Sequence, residues 1–543
     1  MPAEEPLLIP TDAGPTLLFA GVSFYPEKNP IEYARRKARA FSPPPGTLLY
    51  VPSVGLGHGL RELLSTLGEH SAILCIEANQ QVMRCALSQP LPRDPRLLIV
   101  RTAEEAGVRE ALRSLGLSRF RRVIEAPLCA GYRLSPVLYA RFKRLLEEEI
   151  RRHWQNRLTL IALGSLQVRN LLSNLAVLPS ALDFSALSSS LPTVVAGAGP
   201  SLDASIPALR EHRGRFLLVA ADTALPALMA QGLVPDLVVA LEAQIANLQD
   251  FLPGRSPATA LACDLSAHPA VTRLFPGRTF FFSSRFAELS IFNRLEAAGL
   301  LPTVFPAPGS VGVAAVRAGM LVSQGELFIT GLDFSLPGLR THARGTPHHL
   351  AMLACGSRLR PVGQETYRAI SSRALLRVPD KHGHPVPTDR VLMSYRDTLC
   401  AELADSAPRA NDIGASGLDV SIRLLGEAQF AERLGTNPVR GRLPLEVDES
   451  RGFSGEHLRA FVAEETRILR DAASELRQAA VSGSVSEECR KLLCAADHAW
   501  VHFPDAPDNA GADAGAPGRS FLARAAAAAG YYAARAERII SVL

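Results

Sequence analysis

No two cysteines of this 543-residue chain stand in a CxxC pair. The eight cysteines, Cys75, Cys85, Cys129, Cys263, Cys355, Cys400, Cys489 and Cys494, are scattered, several of them inside apolar runs such as ILCIE and LACD. That excludes a disulfide framework and points to reduced thiols in a cytoplasmic protein. Charge of one sign is lacking too. The net charge is +5 and both signs are mixed along the chain, so composition gives a nucleic-acid partner no support. No uninterrupted apolar run is long enough to cross a bilayer, so no membrane span is expected. The opening residues, MPAEEPLL, are acidic and broken by proline, so no signal peptide is expected. What the chain does have is apolar bulk, 47% of its residues. That suffices for several cores, and the length suits about three domains.

The stretch that organises the rest is TVVAGAGPSLDASIPAL, residues 193–209. Thr193, Val194 and Val195 read as a short buried strand, and Gly197-Ala198-Gly199 as a tight turn. Pro200 suits the first helical position, where its missing N–H is no loss. Ser201 offers a hydroxyl at the helix start. A strand, a glycine turn and a helix N-terminus together favour an anion, because free N–H groups and the helix dipole point the same way. A nucleotide phosphate is the natural guest, and glycine at such a turn for packing alone is the alternative.

Around this stretch the chain reads as α/β: two Rossmann-like parallel-sheet domains followed by an α-helical C-terminal region. The expected divisions are 1–180, 181–425 and 426–543. In the first, LLYVPSVGLGHGLRELL sets a strand before Gly55, Gly57 and Gly59, and AILCIEA ends in Glu77, where an acid would meet a ribose hydroxyl. A degenerate, structural version of that domain is the competing reading. Ser135-Pro136 opens a helix with Val137, Leu138, Phe142, Leu145, Leu146 and Ile150 at helical spacing, and a second helical stretch, LQVRNLLSNLAVL, follows it. In the second domain TVVAG, FLLVAAD, LVVALEA, ATALACD, RTFFFSS and LFITGLD alternate with helices, the pattern of a doubly wound sheet. Ligands bind such sheets beyond the carboxyl ends of the strands. The residues there are 197–201, Asp222 with Thr223, Glu242, Asp264, Ser283 with Ser284, and Asp333. Beyond residue 411 come amphipathic helices, a linker DAPDNAGADAGAPGRS, and an Ala-rich closing helix.

GAGPSL, ADTAL with GLVPD behind it, PGSVGVAAVRAG leading into ITGLDFS, and THARG together resemble the motility-associated factor (Maf) glycosyltransferases. YPEKNPIEYARRKA, GLGHGL, HGHPVPTDRVLMSYRDTL and NDIGASGLDV fall where that family has similar segments, so the likeness covers most of the chain to about residue 420. The central domain is similar to bacterial sialyltransferases and to a 6-hydroxymethylpterin diphosphokinase. The resemblance implies transfer of a nonulosonic acid from a CMP-sugar donor to Ser or Thr of flagellin, with no tightly bound cofactor. Magnesium is expected only under the diphosphokinase alternative, and there Glu242 stands where both relatives usually show aspartate, a lone acid in sequence. A non-catalytic flagellar assembly factor on a nucleotide-binding fold is the third reading.

The expected nucleotide-binding residues are Gly197, Gly199, Pro200 and Ser201 at the phosphate, Asp222, Thr223 and Glu242 toward the nucleoside, and Gly309 and Ser310 at a second helix start. His342 is the candidate proton-transfer residue and Asp333 its catalytic companion, because THARG follows the Asp333 strand end within one loop's reach. His348 and His349 are adjacent and His382 and His384 alternate, and both pairs lie in apparent loops, so no metal site is expected.

Overall fold

The computed structural model describes residues 5–252, 256–306, 309–359, 361–435, 445–506 and 517–541. The chain forms two compact units, Met1–Ile161 and Ala162–Leu543. The expected α/β class, with parallel sheets and a helical C-terminal region, is borne out. Of the linker stretch DAPDNAGADAGAPGRS, residues 507–516 lie outside the described residues.

The first unit opens with an antiparallel meander of Leu7–Ile9, Thr16–Phe19 and Val22–Ser23. A parallel sheet follows, made of β1 (Thr47–Pro52), β2 (Ala72–Glu77), β3 (Leu97–Arg101) and β4 (Arg122–Glu125), in the order β3-β2-β1-β4. β1 and β2 are buried along their whole length, which is why they read as continuous apolar runs and not as alternating ones. After β1, Gly57 and Gly59 turn with positive φ into the short helix α1 (Leu60–Ser65). The two helical stretches expected after residue 135 are one helix, α2 (Pro136–Leu175), 40 residues long. Nothing between them breaks it: the intervening residues contain no proline, and Gly164 alone is tolerated in a helix interior.

The second unit is built on a ten-stranded parallel sheet. Its main path is β5 (Thr193–Ala196), β6 (Leu217–Ala221), β7 (Leu237–Ala240), β8 (Ala260–Asp264), β9 (Thr279–Ser283), β10 (Thr303–Val304), β11 (Leu327–Thr330), β12 (Ala410–Asp412) and β13 (Arg423–Leu424). The order is β10-β9-β8-β7-β6-β5-β11-β12-β13, with Leu182–Asp183 paired to β9. The chain therefore runs outward from β5 through β10, then returns to β5's other side with β11. Alternate residues feed two cores. Val195, Val219, Val239 and Ile329 pack under helix α4 (Val311–Val322) and α5 (Arg390–Leu403). Val194, Leu218, Ala220 and Phe328 pack under α3 (Leu202–Glu211). Being buried nearly all round, α4 is apolar nearly all round. The C-terminal helices α6 (Gly455–Ser482), α7 (Glu487–Ala495) and α8 (Arg519–Ile540) belong to the same unit, and Ser454 and Ser486 cap the first two. None of the eight cysteines, all of them among the described residues, is in a disulfide. Among the described residues no helix is long and apolar enough to cross a membrane.

Candidate functional site

The reversal of strand order at β5 and β11 leaves a crevice beyond their carboxyl ends, the place where such sheets take ligands. GAGPS leaves β5 and GLDFS leaves β11, and the two loops hold each other. Gly197 N donates to Thr330 O at 2.8 Å and Gly199 N to Gly331 O at 2.7 Å. Ser201 N donates to Asp333 Oδ2 at 2.8 Å, the Ser201 hydroxyl donates to Asp333 Oδ1, and Gly331 N donates back to Ser201 Oγ at 3.1 Å. This contact is what requires glycine. A Cβ on Gly199 would lie 2.8 Å from Gly331 O, and Gly331 has φ +67° with the Gly197 carbonyl against it.

The expected phosphate donors are thus engaged elsewhere: the amides of Gly197, Gly199 and Ser201 all point into the neighbouring loop. Gly197 and Gly199 still line the crevice, whereas Pro200 and Ser201 do not. Asp333 lines it too, but both its oxygens hold the start of α3. It is 3% exposed, and burial lifts its pKa to about 6 against the pull of Ser201 and Lys381. Lys381 itself pairs with buried Asp412 and donates to Gly414 O at 3.2 Å.

The crevice encloses about 290 Å³. One end is the N-terminus of α4. Ser310 caps it, accepting from Val313 N at 3.3 Å, and the first-turn amides of Val311 and Gly312 have no carbonyl within the helix to bond. All three residues line the crevice, so this end favours an anion. Gly309 precedes the cap with φ +69° and sits against the Tyr395 ring, outside the lining.

The other end is acidic. Asp222 and Thr223 follow β6, Glu242 follows β7, and Asp250 ends the short helix Ile245–Asp250. Thr223 donates to Asp222 Oδ1 from its N at 2.7 Å and its Oγ1 at 3.1 Å. Burial first, then the negative charge of Asp250 and Glu242, push Asp222 up to about 8. Burial, with Glu242 beside it, lifts Asp250 to about 6, and burial raises Glu242. The acid that is lone in sequence thus has two acidic companions in space. Even so, among the described residues no three His, Cys, Asp or Glu side chains form a group able to hold a metal ion.

His342 lines the crevice, half-buried, with Nδ1 unpartnered. Burial, then His348 and Arg373, depress it to about 4, so the ring is neutral. His348 stands beside it, its ring centre 4.8 Å from that of His342. His349 Nδ1 accepts from Gly345 N at 3.2 Å. His382, on the hairpin Leu376–Pro379 and Pro385–Thr388, faces Ala415 O at 3.2 Å and does not line the crevice. Sequence reasoning missed Asn247, Arg373 and Tyr395, which do. Tyr395 lies inside the HGHPVPTDRVLMSYRDTL segment and could have been found there. Arg373 carried no motif.

In the first unit the glycine turn meets its own chain. The Tyr25 hydroxyl accepts from Leu56 N at 3.0 Å and stands where a Cβ on Gly55 would be. Glu77 is 1% exposed and accepts from Ser53 Oγ at 2.7 Å, Val54 N at 3.1 Å, Asn79 N at 2.9 Å and Tyr139 OH at 3.0 Å. Its carboxylate pins the turn and is not turned to a ribose.

Residues 167–338 match the family described as 6-hydroxymethylpterin diphosphokinase MptE-like. An uncharacterized protein of Treponema pallidum (strain Nichols) is 27% identical over 538 residues, covering 93% of this chain and 91% of its own. A second uncharacterized Treponema pallidum protein is 33% identical over 88 residues, 15% of this chain and 39% of its own. Among solved structures, the Maf glycosyltransferase from Magnetospirillum magneticum AMB-1 matches with TM-score 0.57 and 16% identity, over 100% of this chain and 89% of that one. The likeness read from the motifs is borne out in an MptE-like central segment and a Maf-like fold.

Proposed function

We propose that this protein is a glycosyltransferase that moves a nonulosonic acid from its CMP-activated form to Ser or Thr of flagellin or a related motility protein. The observation that carries the reading is the crevice at the β5/β11 reversal, with an amide-lined helix end at one side and a neutral histidine beside it. The fold shared with a Maf glycosyltransferase and the motif order support it. The leaving phosphate sits at Val311 and Gly312, behind Gly309 and Ser310, and the nucleoside reaches toward Thr223, Glu242 and Asp222. A bound anionic donor raises the His342 pKa from its depressed value, because a nearby negative charge favours the imidazolium. His342 Nδ1 then takes the acceptor hydroxyl proton as the oxygen–sugar bond forms, and the electron pair of the breaking sugar–phosphate bond leaves with CMP. Asp333, held by Ser201, positions the loop below. A nucleotide-sugar donor and cysteines outside any disulfide fit a cytoplasmic site of action.

The diphosphokinase reading, transfer of pyrophosphate from ATP to a pterin, draws on the matched central segment. It needs magnesium, and among the described residues the carboxylates do not make a cation-holding group. Thermal shift with CMP, CDP, AMP, ATP with and without magnesium, and S-adenosylmethionine separates the readings. Selective stabilisation by cytidine nucleotides is expected. Selective stabilisation by ATP with magnesium overturns the transferase in favour of the kinase, and no response overturns both in favour of an assembly factor.

A further inference from the structure

The acidic end of the crevice holds a group that the transfer chemistry leaves unused. Asp222 is 1% exposed, its Oδ2 has no hydrogen-bond partner, and it lines the cavity. Oδ1 already accepts both donors of Thr223. The charged groups that act on it are Asp250 and Glu242, both negative. Across the cavity stand Ser310, Tyr395 and His342, the last held neutral, and Arg373, which is paired with Asp389 at 3.1 Å. A buried acid facing two others, with no cation beside it, keeps a proton. That agrees with its rise to about 8.

We propose that Asp222 stands in the crevice as a neutral carboxylic acid and donates a hydrogen bond from Oδ2 to an acceptor atom of the bound nucleotide. The identity of the ligand rests on the function proposed above, and the state of Asp222 does not. An ionised Asp222 would repel a nucleotide phosphate and could only accept. The neutral acid supplies a donor in its place. The acceptor is a carbonyl oxygen or ring nitrogen of the base, since the phosphate is assigned to the opposite end of the crevice.

The test is CMP binding by calorimetry across pH 6.5–9.5 for wild type, Asp222→Asn and Asp222→Ala. Asparagine keeps the shape and an N–H donor but cannot ionise. Wild-type affinity is expected to fall about tenfold per pH unit above about 8. Asp222→Asn should hold its affinity at every pH, and Asp222→Ala should bind weakly throughout. Asp250→Asn, which removes a like charge, should start the wild-type fall at lower pH. The same series with cytidine tests the acceptor: a retained pH dependence is expected for one on the base, and a lost one overturns that assignment. A wild-type affinity flat across this range overturns the proposal, as does an Asp222→Asn loss equal to that of alanine.

If no nucleotide binds at any pH, the proposed function fails, and thermal unfolding still reads Asp222. A folded pKa above the unfolded one means that stability is complete below about pH 4 and falls as pH rises toward 8. Asp250 and Glu242 share that slope. The melting temperature of Asp222→Asn relative to wild type should therefore climb from pH 5 to pH 9, and a constant difference overturns the neutral acid.

Discussion

In the first unit the chain leaves β1 through Gly55, Gly57 and Gly59; in the second it leaves β5 through Gly197 and Gly199. Both strands belong to a parallel sheet, and both lie where the strand order reverses. At β1 the space beyond the strand is taken by the Tyr25 hydroxyl, and the acid on the next strand, Glu77, is saturated by four donors. At β5 the glycines are consumed by a neighbouring loop, the next acid, Asp222, keeps an oxygen free, and a cavity remains. A glycine turn at a switch point is therefore a licence for close backbone approach. Whether the thing approached is a ligand or the protein's own chain depends on what later segments deliver there.

The comparison breaks most severely at Gly331→Val. A side chain at φ +67° against the Gly197 carbonyl forces the two loops apart, at a cost on the order of 3 kcal/mol or more. Urea unfolding should show the loss and CMP binding should vanish. Next is His342→Ala, expected to lower transfer about 100- to 10,000-fold with CMP affinity nearly unchanged. His348→Ala should cost much less in the same glycosylation assay, and equal losses would place the reacting ring at His348. Glu77→Ala tests the closed partner: it orphans four donors, three of them buried, and should destabilise the first unit by about 3 kcal/mol while CMP binds as before. A stable variant with weakened CMP binding would make the first turn a working site. The smallest effect is Ser310→Ala, a lost helix cap worth about 1 kcal/mol in chemical denaturation.

The strands that carry four or five apolar residues, such as LLVAA and ALACD, were legible because burial on both faces writes a continuous run. Thr303–Val304 and Arg423–Leu424 were not, since two residues make no pattern. In the crevice, Asp222, Glu242 and His342 were legible as polar residues after strand ends. The destination of the Gly199 amide was not, because Gly331 is remote in sequence. Nor was the repulsion between Asp222 and Asp250, since a short helix and a change of strand lie between them. Glu77 misled for the same reason: Tyr139, which fixes its role, comes from another element 62 positions on.

The interlock of GAGPS with GLDFS also has a consequence in time. Ser201 and Asp333 are 132 residues apart along the chain. At roughly 5–20 residues per second, a ribosome needs on the order of ten seconds to supply the second loop after the first. Until then β5 has an open flank and no crevice exists, so the nascent chain passes through a stage with an unpaired strand edge that the finished fold buries along its whole length. The crevice is thus assembled late, by the arrival of β11, and a ligand bound there can stabilise only chains that have already completed that pairing.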